Sequence, residues 1–445
     1  MRLSDALRIE SGQSIAFTGA GGKTSAIRTL VKELQSRNPI VSTTTTKLGL
    51  AQTDLADVHN ILKTPDLMDG IGSLLRPGIS VLVTNDQLPD ERKWSGLSLI
   101  ELERLREICR EKGAILLIEA DGARRKSLKA PAEHEPVVPE WVDLVVSIAG
   151  LDVIGKPFTP EYCHRAERAR EILGIEGDSR IEEDHVSELL RSVKGGLKSV
   201  PPSSTVRVIL RQSDSLEDIE IGRRISADVL LSERIQSVLV GTLDHQSPVS
   251  EVFSRTAGVV LAAGLSTRIE APKQLLPFKG KPLIVHVVEA ALEGDLDPII
   301  VVVGEDEDAI REALEGYGPR FVRNPDPDLG QGSSLQVGVN GIDTKVEAAV
   351  FLLADMPLVT GELITELIMR HRSGLSPIIV PFADGKRGNP VLFDKVTFEE
   401  LKRVTGDRGG RAIFSQFSCE RLEWDASIHF DVDTPEDLER LRGME

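Results

Sequence analysis

The chain has 445 residues, a length that points to two or three globular units and excludes a single small domain. Hydrophobic residues make up 40% and charged residues 28%, close to the soluble-globular average, which excludes wholesale disorder. Lys plus Arg number 53 against 70 Asp plus Glu, and the formal net charge of −17 argues against nucleic-acid or membrane-surface partners while still allowing small anions held by local backbone amides.

The opening MRLSDALRIESG has no apolar stretch after its charges. No apolar run in the chain approaches the roughly 18 to 20 residues of a bilayer span. Cys109, Cys163 and Cys419 are widely spaced, which supports neither a disulfide framework nor a thiolate zinc site, so the expected location is cytoplasmic. From residue 13, β-branched runs alternate with helical patterns: QSIAFTG (13–19), then the helical KTSAIRTLVKELQS (23–36), then ISVLVT (79–84), AILLIEAD (114–121), DLVVSIAG (143–150) and TVRVIL (205–210). Such alternation predicts an α/β unit with a largely parallel sheet. Near residue 241 the pattern loosens into GTLDHQSPVSEVFSRTAG, a polar stretch read as a connection, which gives domains at 1–245 and 256–445. The second domain repeats the alternation with GVVLAAG (258–264), the helical LIVHVVEAAL, PIIVVVG (298–304), AAVFLLAD (348–355) and PIIVPF (377–382). No internal repeat relates the halves, so two different domains are expected.

In the first half, TGAGGKTSAI (18–27) lies between a strand and a helix, where Gly19, Gly21 and Gly22 let backbone N–H groups curl around phosphate. Lys23 is then placed for the β/γ-phosphates and Thr24 for Mg²⁺; the alternative is a structural glycine turn. Position 17 is Phe, so the spacing is Gly-x-x-Gly-Lys-Thr rather than the longer standard loop, and this shorter form resembles the phosphate loop of the Mur ligases. Glu119 and Asp121 end an apolar run where a Mg²⁺-associated carboxylate belongs, and Arg124, Arg125, Lys126 and Lys129 follow as an anion-attracting cluster. The threonines of STTTTKL (42–48) offer a further hydroxyl ligand or simply a β-branched strand end.

In the second half, LAAGLSTRIEAPKQLLPFKGKPLI (261–284) begins where a buried strand ends at Leu261 and gives way to Ala262, Ala263 and Gly264, small residues that let N–H groups approach an anion. Arg268 and Lys273 follow as cations able to neutralise a triphosphate. Asp355 closes an apolar run at the crevice end of a strand, and Asp433 precedes a Thr-Pro-Glu-Asp helix start; both are candidate Mg²⁺ ligands, with capping as the alternative for Asp433. Ser333 and Ser334 sit at a glycine-flanked helix start, suited to a nucleotide or to N-capping. His286 lies in an apolar helical run and reads as a packed core residue.

The 261–284 string resembles the signature of the MobA-like nucleotidyltransferases, over residues 258–445. Together with SSLQVG (333–338), GNPVLF (388–393) and GDRGGR (406–411), it looks most like molybdenum cofactor cytidylyltransferase; Ile269 stands where that family usually has Met, and Glu270 where it has Gly. The resemblance implies a Rossmann-like domain in which Asn324 joins the nucleotide site, Asp355 and Asp433 hold Mg²⁺, and CTP is the substrate. GAGGKTS, TTTTKL, EADGARRKSLKAP and HEPVVP resemble the YqeC-type accessory proteins of selenium-dependent molybdenum hydroxylases, which implies a P-loop-like domain taking ATP or GTP. The joint expectation is a two-domain enzyme of molybdenum cofactor maturation, transferring CMP to molybdopterin and serving an apo molybdenum hydroxylase. The alternatives are a sugar- or alcohol-phosphate nucleotidyltransferase and a non-catalytic cofactor carrier.

Overall fold

Apolar runs without alternation suit strands buried on both faces, the pattern of parallel sheets covered by helices. The computed structural model describes residues 1–64, 67–88, 91–243, 245–264 and 271–443, and the chain divides into two units, Met1–Phe253 and Ser254–Glu445. No helix among the described residues is long and apolar enough to cross a membrane.

The first unit is built on a nine-stranded sheet. Its strands in chain order are β1 (Ser14–Gly19), β2 (Ile40–Thr44), β3 (Val58–Ile61), β4 (Ser80–Thr84), β5 (Ile115–Glu119), β6 (Leu144–Gly150), β7 (Thr205–Arg211), β8 (Ser237–Gly241) and β9 (Glu251–Ser254). The spatial order is β9-β8-β7-β6-β1-β5-β2-β4-β3. Strand β1 runs parallel to both neighbours, with Ile15 opposite Leu144 on one side and Leu117 on the other. Strands β2 to β5 thus lie on one side of β1 and β6 to β9 on the other. The loop after β1 sits where the strand order reverses, the crevice in which open α/β sheets bind ligands. Helix α1 (Lys23–Leu34) follows that loop and buries Ala26, Ile27, Leu30, Val31 and Leu34, the i, i+3, i+4 stripe of a core-facing helix. Helix α2 (Leu99–Lys112) starts on a Ser98–Glu101 capping box and stops at Gly113 in the left-handed region.

The stretch 241–257, read from sequence as a polar connection, contains β9, and only Arg255 separates it from the next strand. Val252 and Phe253 are buried, the latter in the first unit's core. A four-residue strand is too short to display a period. The chain start also returns to this edge: Met1 N donates to Val249 O at 2.6 Å, and Val249 N donates back to Met1 O at 3.3 Å.

The second unit carries β10 (Thr256–Leu261), β11 (Ile299–Val303), β12 (Arg320–Arg323), β13 (Ala348–Leu353), β14 (Ile378–Ala383), β15 (Lys386–Arg387), β16 (Val391–Asp394) and β17 (Cys419–Glu423). Their order is β12-β11-β10-β13-β16-β14-β15, with β17 on β14. The first four of that order are parallel, and β16 is inserted antiparallel between β13 and β14. Again the order reverses at a central strand, β10, and places the loop after it at the crevice. Helix α3 (Leu283–Glu293) supplies Ile284, Val287, Val288 and Ala291 to the core. His286 is not a core residue; it is half-buried, with Nε2 2.8 Å from Phe278 O. Helix α4 (Gln331–Asn340) and helix α5 (Pro435–Arg442) complete the elements that frame the cleft.

Candidate functional site

In the second unit, β10 delivers Leu261 to Gly264 into a cleft of about 460 Å³. Ala262 and Ala263 are buried, and a Cβ built on Gly264 would meet nothing within 4 Å among the described residues. Lys273 enters from a short 3₁₀ turn, and its ammonium bridges two carboxylates: it forms an ion pair with Asp355 just past β13, and Nζ lies 2.7 Å from Asp433 Oδ1. Burial works to lower the pKa of Lys273, but the Asp355 and Asp433 carboxylates outweigh it and hold the ammonium above its ordinary value. Val432 N donates to Asp355 O at 3.1 Å and so fastens the acidic segment to the strand end.

Helix α5 is capped by Thr434 and Asp437, whose side chains exchange bonds with each other's backbone N–H. Capping therefore falls to Asp437, and the side chain of Asp433 is turned to Lys273. Asp431, which sequence reasoning missed, lines the same cleft. Burial and then the Asp433 and Asp355 charges push its carboxyl above the usual range. Its only sequence signal is the Asp-x-Asp alternation of FDVD, which turns both carboxylates to one side.

Asn324 is buried and donates from Nδ2 to Ser333 Oγ at 2.9 Å and Ser334 Oγ at 3.0 Å. The two serines lie in the first turn of α4, whose N-cap is Gly330 without a side-chain bond, so they are not caps. A second pocket, of about 610 Å³, adjoins the cleft and shares Leu261, Gln331, Leu353, Asp407 and Asp431 with it. Arg387, Arg408 and Arg411 line this pocket beside Asn389 and Phe414. Arg268, with Ile269 and Glu270, lies outside the described residues.

Among the described residues, no group of three or more His, Cys, Asp or Glu side chains is arranged to hold a metal alone. A divalent cation that draws its remaining oxygens from substrate phosphates needs only one or two carboxylates, the number that Asp355 and Asp433 provide. The Lys273 ammonium already occupies a point that both Asp355 and Asp433 face. The donor set fits a divalent cation.

In the first unit, Gly19 has φ +87°, and a Cβ there would lie 2.4 Å from Ile148 O, so only glycine lets β1 turn into the loop. Lys23 is folded back: Nζ donates to Gly19 O at 2.8 Å and lies 3.0 Å from Asp121 Oδ1. Asp121, fully buried, also accepts from Gly19 N at 3.2 Å and pairs with Lys129 at 2.8 Å. Lys129 continues to Glu135 at 2.9 Å, and Glu135 to Arg165 at 2.9 Å. Burial alone raises the pKa of Glu135, but the bonds from Lys129 and Arg165 bring it down to about 2. Thr24 Oγ1 donates to Glu119 Oε2 at 3.1 Å and accepts from Gln52 at 2.8 Å. Burial pushes the Glu119 carboxyl up, opposed by the charge of Lys23 and the bond from Thr24. Hydroxyls of Thr44 and Thr45 donate to backbone carbonyls of Glu119 and Ala120, which makes them strand-end anchors rather than free ligands. Gln52, like Arg211 at the end of β7 against Gly21 and Gly22, carries no sequence signal.

A family model described as MobA-like NTP transferase domain matches residues 258–422, and one described as YqeC protein matches residues 15–167. Nicotine blue oxidoreductase of Paenarthrobacter nicotinovorans is 32% identical over 200 residues, covering 41% of this chain and 95% of that protein. Uncharacterized protein YqeC of Escherichia coli (strain K12) is 31% identical over 188 residues, covering 42% of this chain and 71% of that protein. A Mycobacterium tuberculosis H37Rv protein solved in complex with manganese is 28% identical with a TM-score of 0.39, covering 43% of this chain and all of that one. The chain thus belongs to the YqeC family through residues 15–167 and to the MobA-like NTP transferase family through residues 258–422.

Proposed function

We propose that the second unit is a cytidylyltransferase of molybdenum cofactor maturation, moving CMP from CTP to the terminal phosphate of molybdopterin with release of pyrophosphate. The observation that carries this reading is the convergence of Asp355 and Asp433 on Lys273 at the foot of a cleft that opens into an arginine-lined pocket. The Leu261–Gly264 backbone takes the triphosphate, and Asn324 with Ser333 and Ser334 frames the nucleotide. Lys273 and Arg268 offset charge on the phosphates. Asp355 and Asp433 would hold Mg²⁺, which when bound supplies charge neutralisation at the α-phosphate. Arg387, Arg408 and Arg411 suit a phosphate-bearing acceptor, and Phe414 offers a ring for a planar one. A phosphate oxygen of the acceptor bonds to the α-phosphorus, the bond to the β-phosphate oxygen breaks, and pyrophosphate leaves. No general base is required, because the attacking phosphate is already ionised.

The first unit serves this activity as a nucleotide-binding accessory domain taking ATP or GTP, with Lys23 and Thr24 at the phosphates and Glu119 and Asp121 as acids for Mg²⁺. An apo molybdenum hydroxylase is its partner in this reading. The test is pyrophosphate release measured with each of the four ribonucleoside triphosphates, with and without molybdopterin. CTP-specific, molybdopterin-dependent release is expected. Release with a sugar phosphate or alcohol phosphate instead would reassign the acceptor, and tight binding without release would make the chain a carrier. Because a 32%-identical relative bears an oxidoreductase name, a redox screen runs beside it; turnover there without pyrophosphate would replace the transferase reading.

A further inference from the structure

We propose that Arg211 is a phosphate-binding residue of the first unit, closing the glycine loop from the end of β7 and giving its guanidinium to an oxygen of a nucleoside triphosphate. The inference rests on reading that loop as a nucleotide site and adds a residue from a strand two places away from β1.

The positive charges nearest the loop are already matched. Lys23, 4% exposed, is held by Gly19 O and Asp121, and Lys129 is shared between Asp121 and Glu135. The start of α1 is not matched. Gly22 caps it without a side-chain bond and its first turn has no acidic residue, so the helix itself supplies no anion to its positive end, and the neighbouring Glu119 and Asp121 carboxylates are engaged by Thr24, Lys23 and Lys129.

Arg211 lies directly against this end. A Cβ built on Gly22 would sit 2.7 Å from Arg211 Cδ and 3.3 Å from Nε, and one on Gly21 would sit 3.4 Å from Nε. With its amide turned to donate to Asp152, Gln212 accepts from Nη2 at 3.3 Å. Nε itself is buried and has no acceptor among the described residues. A buried donor left unmade is costly, and folded proteins rarely keep one without a reason. An anion seated on the loop supplies the missing acceptor, and the planar fork of arginine suits phosphate oxygens better than an ammonium does. Lys23, by contrast, must first leave Asp121.

The test is local to the loop, because the second unit also takes nucleotide. Hydrogen exchange of the 18–27 segment is followed in the full-length chain during titration with Mg·ATP, Mg·GTP and inorganic tripolyphosphate. Binding protects these amides, and Arg211→Ala raises the half-protecting concentration about tenfold or more, the scale of one lost charge-assisted hydrogen bond. Arg211→Lys recovers part of the loss. If the alanine variant does not fold, Arg211→Gln, of similar length and uncharged, takes its place. Wild-type protection in the uncharged variant overturns the role of Arg211 and leaves the loop a phosphate site. No protection of residues 18–27 in the wild-type chain by any of the three probes overturns the nucleotide reading, and the role of Arg211 with it.

Discussion

Asp355→Asn tests the second unit most directly. Lys273, Asp355, Asp431 and Asp433 carry one positive and three negative formal charges, a sum of −2, and asparagine reduces it to −1. The side chain keeps its shape and can still present an oxygen to the Lys273 ammonium, so the fold is retained. What goes is one of two carboxylates facing the cation point, a charge-assisted contact in a mostly buried place, Asp355 being 12% exposed. Such a contact is worth about 1.5 to 3 kcal/mol, and about 2.7 kcal/mol in the transition state is a hundredfold in rate. The assay is pyrophosphate release under saturating CTP and molybdopterin across a Mg²⁺ series, with thermal unfolding as a check on folding. A fall of about a hundredfold is expected, shifted to higher Mg²⁺ demand. Near-normal turnover with unaltered Mg²⁺ dependence refutes the assignment of Asp355 and most of the mechanism built on it.

Lys23→Ala weakens ATP or GTP binding at the first unit by about 2 kcal/mol by calorimetry and leaves transfer by the second unit intact; unchanged binding returns the loop to a structural turn. Glu135 has its folded pKa depressed to about 2, so its contribution is fully present above its unfolded value and is lost as pH falls from about 4.5 toward 2. Glu135→Gln flattens that acid limb in first-unit unfolding and costs about 3 kcal/mol near neutral pH, and an unchanged limb removes Glu135 as its source. A chain starting at Ser254 keeps β10 whole and loses the first three residues of β9, and it folds and retains transfer; an insoluble or inactive product shows that the second unit needs the first.

The long strands are legible because burial on both faces demands unbroken apolar runs, as in Ala114–Ile118 and Ala348–Leu352. Short strands such as β3 and β9 hold too few residues for a period to emerge. The loops after β1 and β10 announce themselves by glycine or alanine at a strand end, and the acids after β5 and β13 by a carboxylate that ends an apolar run. What local pattern does not carry is partnership. Nothing around Gln52 marks it as the group that holds Thr24, because that bond spans 28 residues. Arg211 sits beside Gly22 only because strand order brings β7 to the same crevice. Asp121 is the reverse case, a residue legible as an acid but not as the buried clamp of Lys23 and Lys129, since desolvation and pairing depend on what the fold packs around it.

The hydrogen-bonded pair between Met1 and Val249 makes the first unit, in polymer terms, a ring closed without a covalent bond. Its two ends leave from one edge, so joining them would cost only a short loop and little closure entropy. Such a unit tolerates being opened elsewhere, and it can be carried on another protein as a cassette whose entry and exit lie side by side. A bulky group placed directly on Met1 would press on the segment that leads into the last strand of the sheet.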